Sequence, residues 1–466
     1  MLWIGWSNRC LTRSPRLYND RSVLMPHPDG ARVPMVLCNA SYYGTVAAIR
    51  SLGRAGIPVV AVDTGLLSTG RRSRYAKSYL NSPPFDSADW SDWLLALGRD
   101  GIRRAIYATS DAVSFALADR REELSSVFDL YQPDLETMMC ILDKGLLHQH
   151  ACAVGIETPE TWFPQSANEA DGIVREAGGQ IIAKPRSQLC ASSGAKGMLI
   201  NSAVTSRGNI YDRLFRHFGL SNAFTKRFPE MAMPMLQRYH PEAMQKIYSL
   251  SGFRDRSGSH IVMQAALKIL QQPRHLGIGL CFEEAEVISD IAQKTVLLCE
   301  RIGYYGAFEL EFIVAQGRML LIDFNGRFYN QLAFDIARGM DLPGMVYAGA
   351  TGATEELERL VSRVPPRDKE QPLVFCHGFG LSLSVAAQQL FKKMSREEAT
   401  HWLEWRKTYK GRVVDAIHDA DDPLPAVFDI ASRVGEYMRY PRKFLGDMAF
   451  KQTHVLAAVT ASCGVL

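Results

Sequence analysis

The stretch GAFELEFIVAQGRMLLIDFNGRFYNQ, residues 306–331, restricts the possible folds of this chain more than any other. Two apolar runs meet at Gln316-Gly317, which predicts a tight β-hairpin. On the first strand Glu309 and Glu311 alternate with Phe308, Leu310 and Phe312, so both carboxylates project from one face. The second strand, residues 319–324, is apolar except for Asp323, and Asn325 follows on the same face. Paired across the hairpin, Glu311, Asp323 and Asn325 bring three oxygen donors to one point. Hard oxygen ligands of this kind suit Mg²⁺, which keeps several waters and is commonly shared with phosphates. Arg327 points the same way and can hold a phosphate or carboxylate bidentately. The competing reading is an ordinary amphipathic hairpin with its acids in water, and the rest of the chain decides between them.

A chain of 466 residues is too long for one core and implies two to four domains. Its apolar content of 47% and charged content of 22% are those of a soluble globular protein. A net charge of +4 spread along the chain argues against dedicated nucleic-acid binding. The nine cysteines show neither C-x-x-C pairs nor histidine spacing, so free thiols in a reducing cytoplasm are expected. No apolar run reaches the roughly 18 residues of a spanning helix, and no stable membrane insertion is expected. Residues 1–32 lack periodicity and read as a poorly ordered extension, with Met25 and Met35 standing as alternative starts.

Order begins with a buried strand at 33–38, a helix at 45–55 and a second strand at 59–62 ending in Asp63. This βαβ pattern implies a parallel sheet. The turn NASYYG lacks G-x-G-x-x-G, which sets dinucleotide binding aside. A further strand at 105–108 leads into Ser110, Asp111 and a helix to Leu124. Ligands of open α/β sheets bind at the carboxyl ends of strands, so Asn39, Tyr42, Tyr43, Ser110 and Asp111 are candidate substrate contacts. Helix capping is an equal reading of Ser110 and of Asp111.

Past Lys144 the pattern changes. A helix at 144–154 ends at Gly155-Ile156, and a strand at 180–185 carries Lys184 at its end. The small-residue loop SQLCASSGAKG follows; such a loop can wrap a phosphate, or simply connect a hairpin. A strand runs at 234–240, and two more flank the turn at 255–258. The segment QQPRHLGIG reads as a basic loop able to fold over a ligand, and a helix is expected over 284–302.

Taken in order, these pieces resemble the ATP-grasp superfamily over roughly residues 34–352. The likeness rests on Asp143-Lys144, Ala183-Lys184-Pro185 before Ser192-Ser193-Gly194, Leu236-Gln237-Arg238-Tyr239, Glu311, and the run Ile322 to Arg327. The stretch EAMQKIYSLSGFRDRSG with LKILQQPRHLGIG is most similar to carboxylate–amine ligase-type proteins of the D-aspartate ligase group. The resemblance implies an α/β and α+β chain: a parallel α/β domain at 33–135, then a two-lobed ATP-grasp domain at 136–352 with its small lobe at about 155–240. A linker and mainly helical extension would fill 353–466.

It also implies ATP with Mg²⁺, one ion and a second beside it, with Mn²⁺ able to substitute. Lys144 and Lys184 would contact the phosphates, Ser192, Ser193 and Gly194 would cover them, and Gln237 and Tyr239 would lie by the adenine. Glu311, Asp323 and Asn325 would bind the metal, while Arg327 and Lys268 would steady the transferred phosphate and acyl group. The implied reaction activates a small carboxylate as an acylphosphate and joins it to an amine. A non-catalytic ATP-binding module and an enzyme with another acceptor are the alternatives; a homodimer is compatible with either.

Two departures stand out: the family usually has Glu where this chain has Asp323, and Pro where it has Gly326. Beyond the clamp, 355–366 reads as a charged helix, 372–379 as a strand, and 382–393, 395–405 and 426–437 as helices around the turn Asp421-Asp422-Pro423. This tail reads as a helical cap. Arg439, Arg442 and Lys443 beside Tyr437, Tyr440 and Phe444 read as a solvated helix end, with membrane contact as the alternative.

Overall fold

The computed structural model describes residues 32–65, 67–193, 195–201, 210–244, 246–272, 277–390 and 394–439. The extension expected before residue 33 therefore lies, except for Arg32, outside the described residues, as does Gly194.

The first sheet is wholly parallel: β1 (Met35–Leu37), β2 (Val59–Asp63), β3 (Ala76–Asn81), β4 (Arg104–Tyr107) and β5 (Phe128–Leu130), in the order β3-β2-β1-β4-β5. Strands β1, β2 and β4 are buried along their whole length, which is why, apart from Asp63 and Arg104 at their ends, they read as apolar runs rather than alternating ones. Strand order reverses between β1 and β4, and the loops leaving their carboxyl ends carry Asn39 and Asp111 to that crevice.

A small antiparallel sheet follows: β6 (Thr161–Trp162), β7 (Gln180–Lys184), β8 (Met198–Asn201) and β9 (Met235–Arg238), ordered β6-β9-β7-β8. Ile181, Ala183, Ile200 and Leu236 face the helix Ile210–Phe218 through its Leu214 and Phe218. The third sheet has seven strands, ordered β14-β13-β10-β11-β12-β15-β16. Its strands are β10 (Ile247–Arg254), β11 (Ile261–Gln272), β12 (Ile278–Ala285), β13 (Gly306–Ala315), β14 (Arg318–Asn325), β15 (Val374–Cys376) and β16 (Val413–Asp415). The candidate cleft lies where this sheet meets the small one.

Two expectations need correction. The segment 284–302 is not helical throughout: Glu284 and Ala285 end β12, and the helix runs over Ser289–Ile302. Glu283 and Glu284 resemble the acidic first turn of a helix, yet both are engaged from the C-terminal part of the chain. Trp405 Nε1 donates to Glu283 at 2.6 Å and the Leu373 amide to Glu284 at 2.8 Å. The C-terminal extension is mainly helical, but β15 and β16 continue the large sheet instead of capping it.

The extension also reaches the parallel domain. Asp422, 2% exposed, accepts from Arg50 Nε at 2.9 Å, Ser73 Oγ at 2.7 Å and the Arg74 amide at 2.9 Å. Arg54 pairs with Asp419 and Asp421 beside it. A second seam joins that domain to the hairpin: Tyr107 Oη accepts from the Ala307 amide at 2.8 Å and donates to the Ala307 carbonyl at 3.1 Å. Gly306, at φ 121°, leaves room for this contact, because a Cβ there would lie 2.7 Å from the Tyr107 hydroxyl. Among the described residues no helix is long and apolar enough to cross a membrane.

Arg50 is almost as buried as Asp422, so removing the carboxylate leaves the guanidinium in the interior facing the more distant Asp419, 4.0 Å away. Asp422→Ala is expected to destabilise the protein by roughly 3–5 kcal/mol, since a buried charge that loses its close, hydrogen-bonded partner is strongly unfavourable. Denaturant melts and proteolysis of the C-terminal third check this; unchanged melts would show that the contact is not stabilising.

Candidate active site

The hairpin turns as its sequence predicts. Gln316 and Gly317 both have positive φ, 51° and 76°, the backbone of a two-residue turn matched to strand twist. From there the register sets Glu311 opposite Asp323 and Glu309 opposite Asn325. A register shift falls beyond the Glu311–Asp323 pair, where Phe312 pairs with Leu321 and Ile322 is left over. That bulge keeps Leu320, Leu321 and Phe324 buried while Asp323 and Asn325 share the acids' face.

Each acid on this face is answered by a group from another element. Lys268 Nζ on β11 lies 2.6 Å from Glu311 Oε1, and Lys144 Nζ donates to Asp323 Oδ1. Asn325 Nδ2 donates to Glu309 Oε2 at 3.0 Å, and Ser249 Oγ to Glu309 Oε1 at 2.6 Å; Gln331 Nε2 donates to that same oxygen. Arg327 donates from Nη2 to Asn325 Oδ1 at 2.9 Å and from Nε to Asp111 Oδ1 at 2.6 Å. Burial, and then the neighbouring Glu311 charge, push the Glu309 carboxyl up to about 7. For Asp323, burial opposes ionisation, but Lys144 and then Arg327 outweigh it and hold the carboxyl below its usual range.

Lys144 opens the helix Lys144–Ala153, whose N-cap Asp143 receives the Gly145 amide at 2.8 Å and the Arg186 Nε at 2.9 Å. Lys184 ends β7 and donates to Gln237 Oε1 at 3.0 Å. Burial, reinforced by the ammonium of Lys144, pushes the Lys184 pKa down to about 8. Two adjoining cavities of about 120 and 150 Å³ share Lys144, Lys196, Lys268, Glu311 and Asp323. The first is walled by Ile182, Ile247, Ile313 and Ile322 beside Gln237 and Tyr239, a mainly apolar slot with polar groups at its edge. The second is lined by Asp111, Glu309, Asn325, Arg327, Asn330 and Gln331, and is strongly polar.

Lys144, Lys184, Lys268, Gln237, Tyr239, Glu311, Asp323, Asn325, Arg327 and Asp111 therefore meet in one cleft. Ser192 and Ser193 line neither cavity: Ser192 Oγ donates to the Gly219 carbonyl at 2.8 Å, and the Ser193 amide to Phe218. Lys196, three residues on, lines both; the sequence reading passed over it as part of a small-residue loop. Glu309 and Gln331 were also missed as members, although the alternation already put Glu309 on the face of Glu311.

Most of the candidates on the parallel domain have other partners. Ser110 caps the helix Asp111–Asp119 through the Val113 amide at 3.3 Å. Asn39, at φ 51°, accepts from Thr109 Oγ1 at 3.0 Å and shapes the turn after β1. Tyr42 is half exposed, within the field of Arg327 and Asp111. Tyr43 faces the C-terminal extension, stacked on His377 at 4.8 Å and bonded to Asp429 and Arg433. Gly326 has a packing explanation: a Cβ there would lie 2.3 Å from Ile141 Cδ1 and 2.9 Å from Tyr304.

Among the described residues no three His, Cys, Asp or Glu side chains form a metal-holding group. The donor set is two carboxylates and an amide, and it fits a cation that keeps water and takes its remaining ligands from phosphate.

No family model matches the chain, and no curated protein matches it in sequence. Solved structures do. The biotin carboxylase domain of Hydrogenobacter thermophilus 2-oxoglutarate carboxylase, in complex with MgADP, ADP and bicarbonate, is 18% identical with a TM-score of 0.55, covering 68% of this chain and 69% of that one. Staphylococcus aureus N5-carboxyaminoimidazole synthetase complexed with ADP gives 15% and 0.52, covering 74% and 81%. Campylobacter jejuni biotin carboxylase with β-γ-ATP gives 14% and 0.51, covering 68% and 71%. At such identities the likeness establishes architecture, and the architecture is the ATP-grasp fold, with a parallel α/β domain before its two lobes.

Proposed function

We propose that the protein is an ATP-dependent ligase that activates a small carboxylate as an acylphosphate and joins it to an amine, releasing ADP and phosphate. The observation that carries this reading is the junction of the two cavities, where three lysines face Glu311 and Asp323 between an apolar slot and a polar chamber. Structural neighbours in complex with ADP, MgADP and β-γ-ATP support the assignment of ATP to the slot.

Adenine would stack among Ile182, Ile247 and Ile322, with the triphosphate running toward Lys184, Lys144 and Lys196. Glu311, Asp323 and Asn325 would hold Mg²⁺, whose charge offsets that of the phosphates when bound. Arg327, fixed in orientation by Asp111 and Asn325, would receive the substrate carboxylate in the polar chamber. Attack of that carboxylate on the γ-phosphate breaks the bond to ADP; the amine then attacks the acyl carbon and phosphate leaves. Both steps move negative charge between fixed cations and need positioning rather than a protein nucleophile.

The lysine contact is directly testable. Lys184→Ala is expected to weaken ATP binding by roughly 1.5–3 kcal/mol, the worth of a charge-assisted hydrogen bond. Titration calorimetry on the folded variant measures this, and an unchanged affinity would remove Lys184 from the site.

A pH dependence follows from the same side chain. With its pKa at about 8, free Lys184 loses its proton as pH rises, whereas bound phosphate favours the ammonium. ATP binding should therefore take up a proton and weaken above that pH, by up to roughly tenfold per unit. Calorimetry from pH 7 to 9 reads both quantities; a flat profile without proton uptake contradicts the prediction.

Asp323 separates ligase from binding module. Asp323→Asn should lower turnover far more than ATP affinity, because the metal's charge counts most as charge moves in the transition state. Asp323→Glu should retain activity or improve it at limiting Mg²⁺. ADP release with panels of carboxylates and amines is the assay. A wild type that binds ATP yet releases no ADP with any pair would favour a non-catalytic module.

A further inference from the structure

On the ligase reading, the second chemical step needs a base. The amine attacks the acyl carbon, and phosphate leaves with the electron pair of its C–O bond. The new N–C bond makes the nitrogen positive and strongly acidic, so one of its protons passes to a nearby acceptor, for which a carboxylate suffices. Four carboxylates line the polar chamber, those of Asp111, Glu309, Glu311 and Asp323, and no histidine does.

Three of the four are committed elsewhere. Glu311 and Asp323 are paired with Lys268 and Lys144 and belong to the metal-binding set. Glu309 is 2% exposed, and its two oxygens already accept from Ser249, Gln331 and Asn325. The cleft lysines would face the triphosphate, whose charge keeps them protonated. Asp111 differs. Its side chain is 25% exposed, Oδ1 accepts from Arg327 Nε at 2.6 Å, and among the described residues nothing donates to Oδ2. Arg327 in turn has three of its N–H groups engaged, by Asp111, Asn325 and the Phe328 carbonyl. One N–H on each Nη is left for a substrate carboxylate, so the acyl carbon would form beside Asp111. Asp111 also opens the helix Asp111–Asp119, and so reaches the chamber from a different domain than the metal-binding hairpin.

We propose that Asp111 receives the acceptor amine at Oδ2 and takes its proton as the amide forms, a role that rests on the ligase reading. Two products test it, made by the full chain with MgATP and a panel of small carboxylates and followed by mass spectrometry. One is the amide formed with a panel of primary amines, the other the hydroxamate formed with hydroxylamine. Hydroxylamine is uncharged at neutral pH and strongly nucleophilic, so it captures an acylphosphate without a protein base. Asp111→Asn keeps an oxygen for Arg327 Nε and replaces the second oxygen by an NH₂ group. It should lower the amide rate about a hundredfold or more, and hydroxamate formation by less than roughly threefold. Asp111→Ala, which also releases Arg327, should lower both. Both products come from one preparation, so their ratio does not depend on how much of a variant folds. The proposal is overturned if Asp111→Asn lowers the two alike, which would leave Asp111 only holding Arg327, or if it spares the amide. A wild type that makes hydroxamate but no amide with any amine overturns it too, while carboxylate activation stands. A wild type that gives neither product nor ADP refutes the ligase reading itself, before any variant is compared.

Discussion

The cross-strand pairing of Glu311 with Asp323, and of Glu309 with Asn325, puts three carboxylates on one short face of an otherwise apolar hairpin. Partly buried like charges repel and lose solvation, so the arrangement persists only where cations and donors answer them. Here the answers come from separate parts of the chain: Lys268 from β11, Lys144 from a helix start, Ser249 from β10, and Gln331 from the segment after β14. Arg327, held by Asp111, brings in the parallel domain. The charge balance of one hairpin thus depends on three regions folding together, and the same balance creates a cleft able to receive more negative charge.

That dependence explains why the interdomain seams are built from polar contacts as well as apolar packing. Tyr107 grips both backbone groups of Ala307 at the base of β13. Gly44 lets the first helix approach the segment after Arg327, since a Cβ there would lie 2.0 Å from the Tyr329 carbonyl oxygen. On the far side Asp422 locks the extension to Arg50, while β15 and β16 lengthen the large sheet. Movement of the parallel domain against the large sheet would strain these contacts together. The segment after β8 meets that domain through Arg227, which pairs with Asp119.

Much of this was legible in local patterns. Alternation in residues 306–325 gave the hairpin, its turn and the face carrying the acids, because a strand's period of two needs no knowledge of its neighbours. The buried parallel strands, the helix at Lys144 and the lysine ending β7 were legible for similar reasons. The misreadings came where a residue's partner is distant in sequence. Glu283 and Glu284 look like a helix start until Trp405 and Leu373 claim them. Nor does the sequence show that Ser192 and Ser193 bond the carbonyls of Gly219 and Phe218.

The sequence by itself determined the parallel α/β start, the hairpin and the donor types on its acidic face, since these follow from short-range periodicity and side-chain chemistry, while the two-lobed fold was legible only as a resemblance carried by the order of the motifs. Only the tertiary structure decided which cation faces which acid, that Lys196 lines the cleft, and that Tyr43 faces the C-terminal extension. It also decided that one face of the last helix is covered by the parallel domain while the other is left to solvent. The physical reason is common to all four. Charge pairing and burial are properties of what lies within a few ångströms, and over most of this protein those neighbours come from distant parts of the chain.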